Sequence, residues 1–202
     1  GPGLRALAAV GQPAVHARVG GARLRVGAPA FFQVNDAAAE MVLACVREML
    51  GPVTGERLLD LYCGVGTLSV PLGREAAEVT GVEGDPHAAA DARHNLLENA
   101  VAAGRIVAAA VEVAVEAMGP GHDLGIVDPP RAGLTRRAGD AILGLGLRRI
   151  AYVSCDPSTL ARDLLGFVRA GYACPVVQPL DLFPQTYHIE AVALLEHPGA
   201  SP

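Results

Sequence analysis

The stretch Arg57–Ser69, RLLDLYCGVGTLS, constrains the fold more than any other part of the chain. An apolar run (Leu58, Leu59, Leu61) ends in a small-residue turn, Cys63-Gly64-Val65-Gly66-Thr67, and a second apolar segment then restarts at helical spacing. Strand, glycine turn and helix make the first unit of a doubly wound α/β fold. The glycines let the backbone turn tightly and let a ligand approach where a Cβ would otherwise stand. The following helix is expected to aim its partly positive end at that ligand.

Alternation continues from there. Strand 57–63 leads to a helix, strand 78–83 to a helix from Asp85/Pro86 to about 102, and strands 105–111 and 123–128 follow directly upon one another. A helix over about 135–146, strand 149–155, a helix over about 158–170 and two final strands, about 172–180 and 188–196, complete the pattern. Continuous apolar strands alternating with helices predict an α/β fold with a doubly wound, mostly parallel, seven-stranded Rossmann-like sheet and an antiparallel edge. Ligands are expected at the carboxyl ends of its strands. Upstream, Val15–Val19 and Arg23–Val26 flank Gly20-Gly21 and predict a hairpin, so residues 1–30 read as an N-terminal β-hairpin extension of a main domain over 31–202. Asn35 or Asp36 is expected to cap a helix over about 37–50, stopped by Gly51-Pro52, with Cys45 on its apolar face.

With 202 residues, 51% hydrophobic, and a net charge of -5, the chain has enough apolar material for one compact core and is not of disordered composition. No run of about 18 apolar residues is present, so no membrane partner is expected. Cys45, Cys63, Cys155 and Cys174 are widely spaced, and His16, His87, His94, His122, His188 and His197 share no ligand spacing. That argues against a metal cage or a disulfide framework and favours a reducing, cytoplasmic setting, with the histidines other than His188 at the surface. All sixteen basic residues are arginine, yet the acidic balance argues against tight nucleic-acid binding by this stretch alone.

Three further stretches carry chemistry at expected strand ends. In Asp128-Pro129-Pro130-Arg131 the prolines hold the preceding residues extended, which makes a stiff exit from the strand and presents Asp128. Cys155, in Tyr152-Val153-Ser154-Cys155-Asp156-Pro157, lies between a strand and a helix start and is an inert core cysteine or a nucleophile, since a lowered thiol pKa there would favour the thiolate; Asp156 beside it acts in the opposite sense. Glu190, after Phe183-Pro184-Gln185-Thr186-Tyr187-His188, is a solvated strand-start residue or a base aimed into the crevice. The turn after the first strand suits two cofactors. A dinucleotide fingerprint requires a third glycine where Ser69 stands. The acidic residue followed by G-x-G (Asp60, Gly64, Gly66) resembles motif I of S-adenosylmethionine (SAM) methyltransferases, and Glu83 closes the next strand where a carboxylate binds a ribose diol in either case.

Taken in order, FFQVN, DLYCGVGTLS, GVE, DPPRAGL, YVSCDPSTLARDL and DLFPQTYHIE resemble the RNA uracil-5-methyltransferases, which make 5-methyluridine in tRNA and ribosomal RNA; the resemblance spans roughly 30–196. It implies a class I SAM-dependent catalytic domain over 31–202, SAM as cofactor and structured RNA, tRNA or rRNA, as partner. Cys155 would attack C6 of a flipped-out uridine and Glu190 would remove the C5 proton. Gln33, Tyr62, Gly64, Thr67 and Glu83 match cofactor-contacting positions, Asp128 a further site carboxylate, and Phe31 or Phe32 a stacking position. The chemistry needs that set: C5 of uracil is too weak a nucleophile until a thiolate adds at C6, and the base is out of reach while stacked. Many relatives add an oligonucleotide-binding domain and some an iron–sulfur cluster, neither of which is placed in this chain. The region in which the family has an adenine-contacting aspartate reads VAAAVEVAVEA and holds no aspartate, so that contact is left unassigned, with Glu112 as a substitute to consider. Two rivals stay open: an amino-group methyltransferase that uses the DPPR turn as its target clamp, and a silent SAM- or RNA-binding module. A nicotinamide-binding domain ranks behind both.

Overall fold

The computed structural model describes residues 14–28, 36–182, 185 and 189–199. Gln33, Phe31, Phe32, Asn35 and His188 lie outside the described residues, and so does the side chain of Asp36. The elements run β1 (Ala14–Val19), β2 (Ala22–Gly27), α1 (Asp36–Leu50), β3 (Arg57–Leu61), α2 (Ser69–Gly73), β4 (Glu78–Glu83), α3 (Pro86–Glu98), β5 (Gly104–Ala108), α4 (Val111–Met118), β6 (Leu124–Val127), α5 (Arg136–Leu143), β7 (Arg149–Ser154), α6 (Pro157–Arg169), β8 (Ala173–Leu180) and β9 (Glu190–Glu196).

Seven strands form one sheet in the order β5-β4-β3-β6-β7-β9-β8. Strands β3 to β7 pair in parallel, and β9 inserts antiparallel between β7 and β8. The order reverses direction between β3 and β6, which opens a crevice at their carboxyl ends. The expected antiparallel edge is therefore present, with the last strand one place inside it.

Strand periodicity assigns side chains to two layers. Leu58, Leu124, Ile126, Ala151, Val153 and Val192 face one layer, which also holds α1 residues and Leu24 of the hairpin. Leu59, Leu61, Val127, Ile150, Tyr152 and Leu195 face the other, with α4, α5 and α6 residues. Burial on both faces is why these strands read as continuous apolar runs. Two strand-to-helix turns are spelled alike. Asp85 before Pro86 accepts from the N–H groups of His87 and Ala88, and Asp156 before Pro157 accepts from those of Ser158 and Thr159. A carboxylate cap followed by proline at the first helical position fixes where each helix begins.

Two expectations are corrected. Residues 112–118, read as connection, form α4 together with Val111, read as the end of a strand, and α4 has no side-chain cap at Ala110. The helix after the glycine turn has five residues, with Pro71 inside it, so its dipole is too short to serve as an anion anchor. Among the described residues no helix is long and apolar enough to cross a membrane, and no cluster of three His, Cys, Asp or Glu side chains is arranged to hold a metal ion.

Candidate active site

Every chemistry-bearing position in the described set reaches the carboxyl edge of the sheet. The β3–α2 turn begins with Tyr62 at φ 63 and continues through Gly64 at φ 57 and Gly66 at φ 88. A non-glycine residue held at positive φ is strained, and such strain collects at ligand sites. Glu83, at the end of β4, ties this turn to the next one: Oε2 accepts from the Gly64 N–H at 2.9 Å and Oε1 from the Asp85 N–H at 2.7 Å. Each oxygen keeps a further lone pair for a ligand hydroxyl. Thr67 lies half-buried in the same turn. Gly81, inside β4, leaves room for Cys63: a Cβ there would stand 2.8 Å from its Sγ.

Asp60 is buried at the base of this turn, on the Leu58 face of β3. Its Oδ2 accepts from the Ser69 hydroxyl, while Oδ1 has no partner among the described residues. Burial pushes the carboxyl up to about 7 against the Ser69 hydrogen bonds, and nearby Glu83 adds to the rise. Ser69 was visible in the sequence only as the missing third glycine. Its role is to satisfy Asp60.

Asp128 leaves β6 with its N–H donated to Leu61 O at 3.2 Å, so it sits beside the β3 turn at the reversal point. Desolvation raises its carboxyl, and Glu190 and then Asp60 add to the rise. The residue also opens to solvent, and water access damps that shift.

The last two members meet through strand pairing. In the antiparallel β7–β9 register Ser154 stands opposite Ala191, so the next residues on each chain, Cys155 and Glu190, lie opposite one another at the crevice. Glu190 is 4% exposed, and burial raises its carboxyl. Cys155 is half-buried, in contrast with the fully enclosed Cys45 and Cys63. The expectation of a lowered thiol pKa is corrected: desolvation raises it first, then Glu190 and Asp128, while Arg131 opposes them. At the helix end the Ser158 and Thr159 N–H groups are already taken by Asp156 as the cap. Asp156 itself is held below the ordinary range by the Thr159 and Ser158 N–H groups, and it is not among the charges that raise Cys155.

The DPPR turn is held from behind. Thr159 Oγ1 donates to Arg131 O, Arg162 Nη2 donates to Ala132 O at 2.9 Å, and Asp163 Oδ2 accepts from the Leu134 N–H and the Tyr152 hydroxyl. The Arg131 guanidinium lies 3.6 Å from Asp156. Sequence reading did not single out Arg162 or Asp163. Glu112 falls in the first turn of α4 and acts electrostatically on Tyr62, which places it near the rim of the site. Two histidines expected at the surface are more enclosed: His122 is half-buried with Nε2 3.1 Å from Thr80 Oγ1, and His197 packs edge-on against Tyr172.

The electrostatic character decides between the two cofactor types. Asp60, Glu83, Asp128 and Glu190 converge on the crevice, an arrangement that repels the pyrophosphate of a dinucleotide and attracts a sulfonium or ammonium group. Among the described residues Asp60 Oδ1 has no donor, which leaves it available to a ligand.

Comparison with known proteins gives consistent findings. The family model described as tRNA (Uracil-5-)-methyltransferase matches residues 18–198. An RNA methyltransferase of Thermosynechococcus vestitus is 44% identical over 190 residues, covering 92% of this chain and 41% of its own length. One of Streptomyces avermitilis is 42% identical over 191 residues, covering 92% of this chain and 43% of its own. The chain thus spans about two fifths of the length of the curated relatives it matches. Among solved structures, Pyrococcus abyssi tRNA (uracil-54, C5)-methyltransferase in complex with S-adenosyl-L-homocysteine aligns with a TM-score of 0.80 at 32% identity, covering 95% of this chain and 48% of that one. A precorrin-6y C5,15-methyltransferase of Geobacter metallireducens, at a TM-score of 0.66 and 15% identity, shares the fold alone.

Proposed function

The chain belongs to the tRNA (uracil-5-)-methyltransferase family, and from that membership we propose that it carries the catalytic domain of a SAM-dependent enzyme that methylates C5 of a uridine in tRNA or ribosomal RNA. The observation that carries this reading is the β7–β9 register, which sets a half-buried thiol opposite a buried carboxylate at the mouth of an acidic crevice. Residues 31–202 would form that domain, and residues 1–30 its hairpin extension.

SAM, when bound, supplies the methyl group. Asp60, Glu83 and the Tyr62–Thr67 turn would hold it, with Gln33 and Asp128 as further contacts. Cys155 acts as its thiolate. Its sulfur bonds to C6 of the flipped-out uracil, and the C5–C6 π pair moves toward O4 as an enolate, which makes C5 nucleophilic. After C5 has gained the methyl group, Glu190 takes the C5 proton. The C5–C6 double bond re-forms and the C6–S bond breaks, releasing the thiolate. The raised thiol pKa means that Cys155 rests as the thiol. The Arg131 guanidinium opposes Glu190 and Asp128 and favours ionisation of the thiol.

The amino-group reading depends on the DPPR turn gripping a target base. Instead, the Arg131 guanidinium faces the cap of α6 and the turn backbone is bound to α6 side chains. The test is Glu190→Gln. Multiple-turnover methylation is expected to fall by about 100-fold or more, while a denaturation-resistant protein–RNA complex accumulates because elimination stalls. Normal turnover by that variant would remove Glu190 as the base.

A further inference from the structure

The hairpin is fastened to α3 through a matched repeat. Along α3 and its C-terminal cap, Asp91, Asn95 and Asn99 recur every fourth residue, a rise of about 6 Å. Along β2, Gly27, Arg25 and Arg23 recur every second residue, a rise of about 6.6 Å. The two spacings agree, and the pairs form. Gly27 N–H donates to Asp91 Oδ2 at 2.7 Å, Arg25 N–H to Asn95 Oδ1 at 2.7 Å, and Arg23 N–H to Asn99 Oδ1 at 3.0 Å. The amides answer: Asn95 Nδ2 donates to Arg25 O at 2.9 Å and Asn99 Nδ2 to Arg23 O at 2.7 Å.

Asn95 makes one bond more. The same Nδ2 donates to Val65 O at 2.9 Å, in the middle of the Cys63–Thr67 turn, and the residue is wholly buried. Val65 is also wholly buried, and its side chain forms a separate small cluster with Val26 of β2 and Ala88 of α3. The centre of the glycine turn is therefore gripped by the hairpin's side chain below and by the hairpin-bound amide of Asn95 at its carbonyl.

We infer that Asn95 is a positioning residue for the cofactor turn and that the hairpin works as part of the cofactor site, its Arg25 backbone and Val26 side chain setting the shape of residues 63–67. This rests on the assignment of that turn to the cofactor, proposed above. Loosening the hairpin at Asn95 weakens cofactor binding, whereas loosening it at Asn99, which touches no part of the turn, costs stability alone.

The experiment compares the wild-type chain with Asn95→Ala, Asn99→Ala and Glu83→Ala by calorimetric titration with S-adenosyl-L-homocysteine, alongside hydrogen exchange of residues 62–68. Asn95→Ala is expected to bind about 5-fold more weakly and to exchange faster across the turn, with Asn99→Ala within two-fold of wild type in both. Equal behaviour of the two asparagine variants overturns the inference. If Glu83→Ala loses binding while Asn95→Ala matches wild type, the inference fails and the cofactor assignment stands. If Glu83→Ala binds like wild type, the assignment fails and takes the inference with it. Should Asn95→Ala not fold, Val26→Ala, which keeps the hairpin hydrogen bonds, takes its place: about 3-fold weaker binding supports the inference and unchanged affinity overturns it.

Discussion

Ser69 and Asp60 form a buried pair at the base of the crevice, and that pair gives the site its response to pH. With its carboxyl pushed up to about 7, Asp60 binds a proton in the folded chain that it has lost in the unfolded one. Its contribution to stability is complete below about pH 4 and is lost as pH rises to 7. Asp60→Asn should therefore gain on wild type in denaturant unfolding between pH 4 and 7. Binding of a cationic cofactor runs the other way, because it needs the ionised form. SAM affinity should rise about 10-fold from pH 6 to 8, with proton release below pH 7, and Asp60→Asn should flatten that dependence. A profile unchanged by the substitution would remove Asp60 from the cofactor site. Gly64, Glu83, Cys155 and Glu190 were legible because each falls where an apolar run starts or stops, and Asp60 because an acid interrupts such a run just before the glycine turn. Ser69 and Asn95 were not, since their partners lie across space: Asp60 through a turn, Val65 and Arg25 through packing.

Helix α6 does more than follow Cys155. Its Arg162 and Asp163 hold the turn that carries Asp128 and Arg131, and Gly133 makes the fit possible, since at φ 72 a Cβ would collide with both side chains. Gly133→Ala is thus expected to destabilise the fold by about 1–3 kcal/mol and to lower kcat more than it changes SAM affinity, checked by thermal unfolding and steady-state kinetics. Asp163→Ala should cost about 3 kcal/mol, because it strands the Tyr152 hydroxyl and the Leu134 N–H together. At this scale the alternation of strands and helices could be read almost whole. Helix α4 escaped because its valines favour strand and no side chain caps it. Helix α2 was overestimated because an apolar run says nothing of the early stop that follows Pro71 and Gly73.

Across the whole molecule, charge is concentrated and largely spent. Among the described residues, eleven of the fifteen arginines pair with carboxylates, including Arg131 with Asp156 and Arg149 with Glu196. RNA affinity of this chain should accordingly lie in the non-specific range, about 10⁻⁴ to 10⁻⁶ M, and weaken steeply with salt in filter binding. Cofactor affinity has no such handicap. S-Adenosyl-L-homocysteine at about 100 times its Kd should raise Tm by about 5–10 °C, and Glu83→Ala should abolish most of that rise.

A covalent trap accumulates even on a weakly bound RNA, which makes it the most direct measurement of the central claim. The protein is incubated with SAM and RNA carrying 5-fluorouridine, whose fluorine cannot leave as a proton, and run under denaturing electrophoresis. A slow-migrating, SAM-dependent adduct that vanishes in Cys155→Ala is the predicted result. An adduct that survives Cys155→Ala, or methylated RNA with no adduct, would contradict a Cys155-linked uridine C5 methyltransferase.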